Sequence, residues 1–246
     1  MPKLKGKIEE LTITSKALER EMPLLIYLPP NYSDLYTYPL AIVQDGRDYF
    51  QLGRLPKVAD QLIEAGDIED LIMVGIPYEN PEVRWEMYHP DGKWHQEYVT
   101  FLVYELLPFI KEHYAVCDLA GNRTLIGDSL GGTVSLLTAI HYPNTFSNVI
   151  MQSPYVDERI VKTAEVSANL SAFSIYHVIG KKETEVKTTH GKIQNFLEPN
   201  RELKDILSSK TMADYFYHEL EGDHTWKSWQ PDVFRSLQEM FKKSNY

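Results

Sequence analysis

Apolar and polar positions alternate along Ile8-Glu9-Glu10-Leu11-Thr12-Ile13-Thr14, and a second strand-like stretch follows at Pro23-Leu24-Leu25-Ile26-Tyr27-Leu28. Pro29-Pro30 ends the second stretch, because proline supplies no donor to a strand ladder. These two predict an antiparallel start. The pattern then changes to short continuous apolar runs: Leu40-Ala41-Ile42-Val43, Leu71 to Ile76, Thr124-Leu125-Ile126, Val149-Ile150-Met151 and Ser174 to Ile179. Runs of that length suit strands buried on both faces. Helical stretches are predicted over Leu55 to Ala65, Glu97 to His113 with a kink or restart at Pro108, Leu130 to His141, Lys187 to Leu207 and Val233 to Lys243, with a further strand at Tyr215 to Leu220. The loop from Ile76 to Pro90 reads as a functional surface loop.

Strands alternating with helices imply an α/β fold with a mostly parallel central sheet, antiparallel N-terminal strands and helices on both faces. The 246 residues suit one such domain, 1–246, large enough to bury its core without disulfides or metals. A net charge of -10 argues against nucleic acid or an anionic membrane as the main partner. The single cysteine, Cys117, has no internal disulfide partner and reads as a small buried apolar residue. The basic Met1–Lys7 stretch leads into a strand pattern, so no signal peptide is expected. No window approaches the roughly 18 apolar residues of a membrane span, and a cytoplasmic protein is expected.

Chemistry enters at Gly127-Asp128-Ser129-Leu130-Gly131-Gly132, between the Thr124–Ile126 run and the Leu130–His141 helix. A serine in a tight strand-to-helix turn, flanked two places away by glycines, is lifted clear of the sheet as a nucleophile. The N–H of Leu130, at the start of the helix, is a candidate donor to a developing oxyanion. A serine hydroxyl needs a base, and the base needs an orienting carboxylate.

His224 is the favoured base, because its turn Glu221-Gly222-Asp223-His224-Thr225-Trp226 lies between a late strand and the last helix. His177 and His218 sit inside predicted strands, and His89, His95, His113, His141 and His190 lie near loops or helix ends. For the acid, Glu183 leads and Glu185 competes, both after the strand ending at Gly180. Asp157 would place the acid one strand earlier, and Asp223 adjoins the histidine, where neighbouring side chains point apart. A second oxyanion donor is expected after an earlier central strand, in Gln44-Asp45-Gly46-Arg47-Asp48, with Gly46 allowing a sharp turn and the N–H of Arg47 facing the serine.

With these residues assembled, the chain resembles the esterase D and enterochelin-esterase-like family of α/β-hydrolases over nearly its whole length. The motifs that carry the resemblance are Tyr27-Leu28-Pro29-Pro30-Asn31-Tyr32, Asp45-Gly46, Glu105-Leu106-Leu107-Pro108-Phe109-Ile110 and His224-Thr225-Trp226-Lys227-Ser228-Trp229. The resemblance implies an α/β-hydrolase fold, a small-molecule ester substrate, no cofactor or metal, an acid at Glu183, and oxyanion donors at Arg47 and Leu130. It also implies a substrate-binding role for Arg84, whose alternative is to brace the site through Glu86. Trp226 is a candidate to stack on an acyl group, and Trp229 is expected to anchor the last helix. No counterpart of the additional N-terminal domain of the longer enterochelin esterases is expected, and Asp128 stands before the serine in place of a less polar residue. Arg47, Arg54, Arg84 and Lys93 interleave with Asp45, Asp48 and Asp91, so charge counting assigns no sign to the entrance. An acyltransferase with the same triad and an inactive binding protein on this fold are the rival readings.

Overall fold

Ten strands run through the computed structural model, which describes residues 5–243. They are β1 (Lys7–Ser15), β2 (Arg20–Leu28), β3 (Leu40–Gln44), β4 (Ile72–Ile76), β5 (Arg123–Asp128), β6 (Asn148–Gln152), β7 (Ser174–Gly180), the two-residue pair β8 (Val186–Lys187) and β9 (Ile193–Gln194), and β10 (Asp214–Leu220). Eight of them form one sheet in the order β1-β2-β4-β3-β5-β6-β7-β10. β1 is antiparallel to β2 and β2 to β4, while every pairing from β4 through β3, β5, β6 and β7 to β10 is parallel. The antiparallel start and parallel body therefore follow the apolar pattern.

The helices are α1 (Gly46–Gln51), α2 (Leu55–Ala65), α3 (Pro81–Tyr88), α4 (His95–Thr100), α5 (Leu107–His113), α6 (Leu130–His141), α7 (Glu158–Val166), α8 (Leu197–Ser208) and α9 (Trp226–Met240). Successive residues of the central strands feed opposite faces. Ile42, Leu125, Val149 and Ile175 pack with residues of α4 to α8, whereas Val43, Ile126, Ile150 and Tyr176 pack with α2 and α9. Two-sided burial explains why these strands read as unbroken apolar runs rather than alternating ones. Among the described residues, no helix is long and apolar enough to cross a membrane.

Four elements differ from the sequence expectation. The helix expected over Lys187 to Leu207 is a small hairpin, β8 and β9, followed by α8. Thr188 and Thr189 are β-branched, Gly191 takes φ 76°, and the Asn195 side chain accepts from the Glu198 N–H at 3.0 Å just where α8 begins. The Ile76–Pro90 loop contains α3, which starts at Pro81 after an Asn80 cap that accepts from the Val83 N–H at 3.0 Å. The Glu97–His113 helix is divided by a π-helical stretch, Phe101–Leu106, with Pro108 in the first turn of α5, where its missing N–H costs little. The last helix begins at Trp226 rather than Val233 and carries Pro231 inside it.

β3 leads on to β4 on one side, while β5 lies on its other side, so the direction of winding reverses between β3 and β5. Loops leaving the C-terminal ends of such a strand pair diverge and open a crevice. The loops after β3 and β5 carry Asp45–Arg47 and Ser129.

Candidate active site

Ser129 lies between β5 and α6 with φ 50° and ψ -124°, a conformation that ordinary residues avoid. The surrounding chain enforces it. Ser129 N–H donates to the Gln152 carbonyl at 2.9 Å, and its own carbonyl accepts from the N–H groups of Thr133 and Tyr155, each at 3.2 Å. The returning helix passes so close to β5 that a Cβ on Gly127 would sit 2.2 Å from the Gly131 carbonyl carbon, which explains the need for glycine there.

His224 reaches this serine from the loop between β10 and α9. Its Nε2 lies 3.0 Å from Ser129 Oγ, and its Nδ1 lies 2.6 Å from Glu183 Oε2. A carboxylate can only accept, so Nδ1 carries the proton and Nε2 is left to accept from the serine hydroxyl. Phe196 and Trp229 meet the imidazole edge-on, with ring centroids 4.6 and 4.9 Å away.

Glu183 is fully buried in the turn after β7. Its Oε1 accepts from Ser153 Oγ at 2.5 Å and from the Gly180 N–H at 2.8 Å, so both carboxylate oxygens are engaged. The same turn is joined to the histidine loop by backbone bonds, Lys181 N–H to Leu220 O and Lys182 N–H to Gly222 O, both 2.9 Å. Acid and base are thus held by one stretch of paired backbone. Glu185 is exposed, Asp157 caps α7 by accepting from the Arg159 and Ile160 N–H groups, and Asp223 accepts from Thr225 and Ser228 hydroxyls at the start of α9. None of these three approaches the imidazole through a hydrogen bond.

Leu130 is the first residue of α6 and Arg47 the second of α1, positions whose N–H groups have no partner within their helices. α1 is preceded by Asp45, itself left-handed at φ 54° and buried. Arg84 lines the cavity and is also gripped by protein groups. Its Nε and Nη2 donate to Asp45 Oδ1 and Oδ2 at 2.8 and 2.6 Å, and Nη2 also donates to the Asp128 carbonyl at 3.2 Å. The bracing partner is not Glu86, whose side chain accepts from the Lys93 N–H at 2.8 Å. Asp128 is buried, and burial together with repulsion from Asp45 raises its carboxyl well above the usual carboxylate range, against the opposing pull of Arg84.

A cavity of about 500 Å³ opens onto Ser129 and His224. One side holds Arg84, Asp45, Asp48 and Asp128, and Arg47, Arg54 and Lys93 take no part in its lining. The other side is aromatic: Trp85 stacks on His89 with centroids 4.5 Å apart and planes 15° apart, His190 of the β8–β9 hairpin leans on the Trp85 ring at 4.7 Å, and Tyr155 adjoins His89 at 5.1 Å. Burial lowers the His89 imidazole below its ordinary range, with Asp91 opposing.

The two tryptophans stand differently toward the cavity, and Trp229 is buried in the first turn of α9. Trp226 packs edge-on against Tyr49 at 4.9 Å and lies outside the cavity lining, whereas Trp229 lines it and donates from Nε1 to Ser153 Oγ at 2.9 Å. Ser153, the aromatic side and the hairpin escaped the sequence reading. Ser153 carried only one faint signal, its place directly after a central strand. Among the described residues, no group of three or more His, Cys, Asp or Glu side chains is placed to hold a metal ion.

The family model described as Putative esterase matches residues 15–240. The chain is 47% identical over 235 residues to an uncharacterized protein, YjcH, of Bacillus subtilis strain 168, covering 96% of this chain and 98% of that one. Among solved structures, a ferulic acid esterase superposes with a TM-score of 0.80 at 18% identity, covering 97% of this chain and 98% of the other. An enterochelin esterase from Shigella flexneri gives 0.80 at 18% identity, with 95% of this chain aligned to 57% of that longer one. These likenesses establish the α/β-hydrolase fold.

Proposed function

The chain belongs to the Putative esterase family, and from that premise we propose that it is a serine carboxylic-ester hydrolase acting on a small-molecule ester. The observation that carries this reading is the continuous hydrogen-bonded line from Ser129 Oγ through His224 to the buried Glu183, at the floor of a cavity. His224 Nε2 takes the hydroxyl proton as Ser129 Oγ attacks the ester carbonyl. The negative charge on the former carbonyl oxygen is met by the N–H groups of Leu130 and Arg47, and Glu183 stabilises the imidazolium. His224 then returns the proton to the leaving alcohol, and a water activated by the same imidazole releases the acid from the acyl-enzyme.

The aromatic side formed by Trp85, His89, Tyr155 and His190 suits an ester with a flat aromatic group, since stacked rings contribute roughly 0.5–1.5 kcal/mol beyond area burial. The names of the ferulic acid and enterochelin esterases point in the same direction. Ser129→Ala should lower kcat on p-nitrophenyl esters by roughly 10⁴-fold or more, with little change in melting temperature. A fluorophosphonate should label the wild type at Ser129 and leave the variant unlabelled. Equal turnover by the two proteins would refute the assignment.

A further inference from the structure

We propose that Arg84 is a positioning residue that sets the separation of the two oxyanion amides, by clasping the loops that carry them. The proposal rests on Ser129 being the nucleophile and concerns how that site is held. Leu130 follows β5 and Arg47 follows β3, strands whose outgoing loops diverge, and some 80 residues of chain separate the two amides. A residue of positive φ stands close before each amide, Ser129 at φ 50° directly before Leu130 and Asp45 at φ 54° two places before Arg47. Backbone in that region reverts to ordinary geometry unless its surroundings over-determine it.

Arg84 supplies the missing link from a third element, α3. Its fork grips both oxygens of Asp45 at 2.8 and 2.6 Å, and the same Nη2 reaches the Asp128 carbonyl at 3.2 Å, with Asp128 Oδ2 at 3.8 Å. One rigid planar group thus holds the residue two before Arg47 and the residue two before Leu130. α3 adds a second hold on the same loop, because Tyr88 OH accepts from the Asp45 N–H at 3.3 Å. The Asp45 carboxylate in turn abuts the first turn of α6, where a Cβ on Gly131 would lie 3.1 Å from Asp45 Oδ2. Lysine could supply the charge but not the fork.

The competing role is contact with substrate, since Arg84 also lines the cavity. The two roles separate kinetically. A group that positions transition-state donors acts on kcat, whereas a group that binds ground state and transition state alike acts on KM. For Arg84→Lys and Arg84→Gln we expect kcat on p-nitrophenyl butyrate to fall roughly 10²-fold, the scale of a displaced oxyanion donor, with KM within about threefold. Inhibition by a trifluoromethyl ketone, which places an oxyanion in the same site, should weaken in proportion to the loss of kcat/KM. Asp45→Asn should reproduce the loss, and the Arg84→Gln/Asp45→Asn double variant should be little worse than either alone.

Variants that keep kcat within threefold, or that raise KM while kcat holds, overturn the proposal. So does a loss of kcat with unchanged ketone affinity. Should Arg84→Gln fail to fold, Asp45→Asn, which keeps the guanidinium, is read by the same measures. Failure of the wild type to turn over esters or to be labelled at Ser129 would instead remove the underlying hydrolase reading, and this proposal with it.

Discussion

On the inner side, Asp45 in the cavity lining, and Glu183 and Ser153 behind it, are buried and each is held by other protein groups; on the outer side, Thr189, His190 and Lys192 are exposed on a hairpin whose strands are two residues long. The inner groups hang from the C-terminal ends of β3, β5, β6 and β7, in the middle of the sheet. Outside, the hairpin is anchored at its base by the buried Val186, which packs with Ile179, Phe196 and Leu197, while its exposed tip reaches α3 through His190. Proton transfer demands positions good to a fraction of an ångström, which only over-determined packing provides. Recognition of one substrate over another tolerates looser supports and is commonly placed on loops. The contrast therefore assigns turnover to one side and selectivity to the other, and substitutions can break that division.

Glu183→Gln should have the largest effect. Glutamine keeps the size but cannot stabilise the imidazolium, and its amide nitrogen would face either Ser153 Oγ or His224 Nδ1. We expect kcat to fall by roughly 10²–10⁴-fold, whereas Glu185→Gln, at an exposed position two residues on, should stay within about twofold. Steady-state kinetics on one p-nitrophenyl ester series decides it. The reverse ranking would place the acid elsewhere and dissolve the inner side as described.

The same division governs what could be read from the chain. Buried parallel strands announce themselves as apolar runs, and the serine turn is marked by glycines whose spacing is imposed by the close passage of α6. Ser129, Glu183 and His224 were legible because fold order and local turn type constrain them strongly. Arg84 stands out in the sequence but its partners do not, since nothing local links α3 to Asp45 or Asp128. For the tryptophans the boundary matters: a helix starting at Val233 leaves Trp226 and Trp229 in a loop, whereas α9 starts at Trp226 and places both in its first turn, one turn apart on neighbouring positions, with their rings edge-on at 5.5 Å. The hairpin left no periodic trace because two residues cannot show a period, and its approach to Trp85 is a tertiary contact.

His177 tests whether the inner side also carries stability. It is buried on β7, with Nε2 2.7 Å from Asn200 Oδ1 and Nδ1 3.0 Å from Tyr215 OH. Burial depresses its imidazole to about 4, with the Asn200 hydrogen bond opposing. The unfolded chain, with an ordinary value near 6.5, then binds a proton that the native state refuses. The stabilisation is present above about pH 6.5 and is lost as pH falls toward 4, amounting to about 3 kcal/mol across that window. Urea unfolding of wild type and His177→Gln at several pH values between 7 and 4 checks this, with the variant showing the shallower dependence. Parallel curves would mean that His177 takes up its proton over the same pH range in the native and the unfolded state.

The outer side should show the smallest and most selective effect. His190 is exposed, its ring leans on Trp85 at 4.7 Å, and its Nε2 lies 3.4 Å from Glu82 Oε2. An exposed contact of that kind contributes on the order of 1 kcal/mol or less, and none of it bears on the geometry of Ser129. His190→Ala should therefore leave kcat for p-nitrophenyl acetate within about twofold and the melting temperature nearly unchanged. For p-nitrophenyl benzoate, whose acyl ring would lie against Trp85, kcat/KM should fall about three- to fivefold, through KM. If the acetate ester loses as much as the benzoate ester, the hairpin belongs to the frame that holds the reacting groups, and the separation of turnover from selectivity fails at its outer edge.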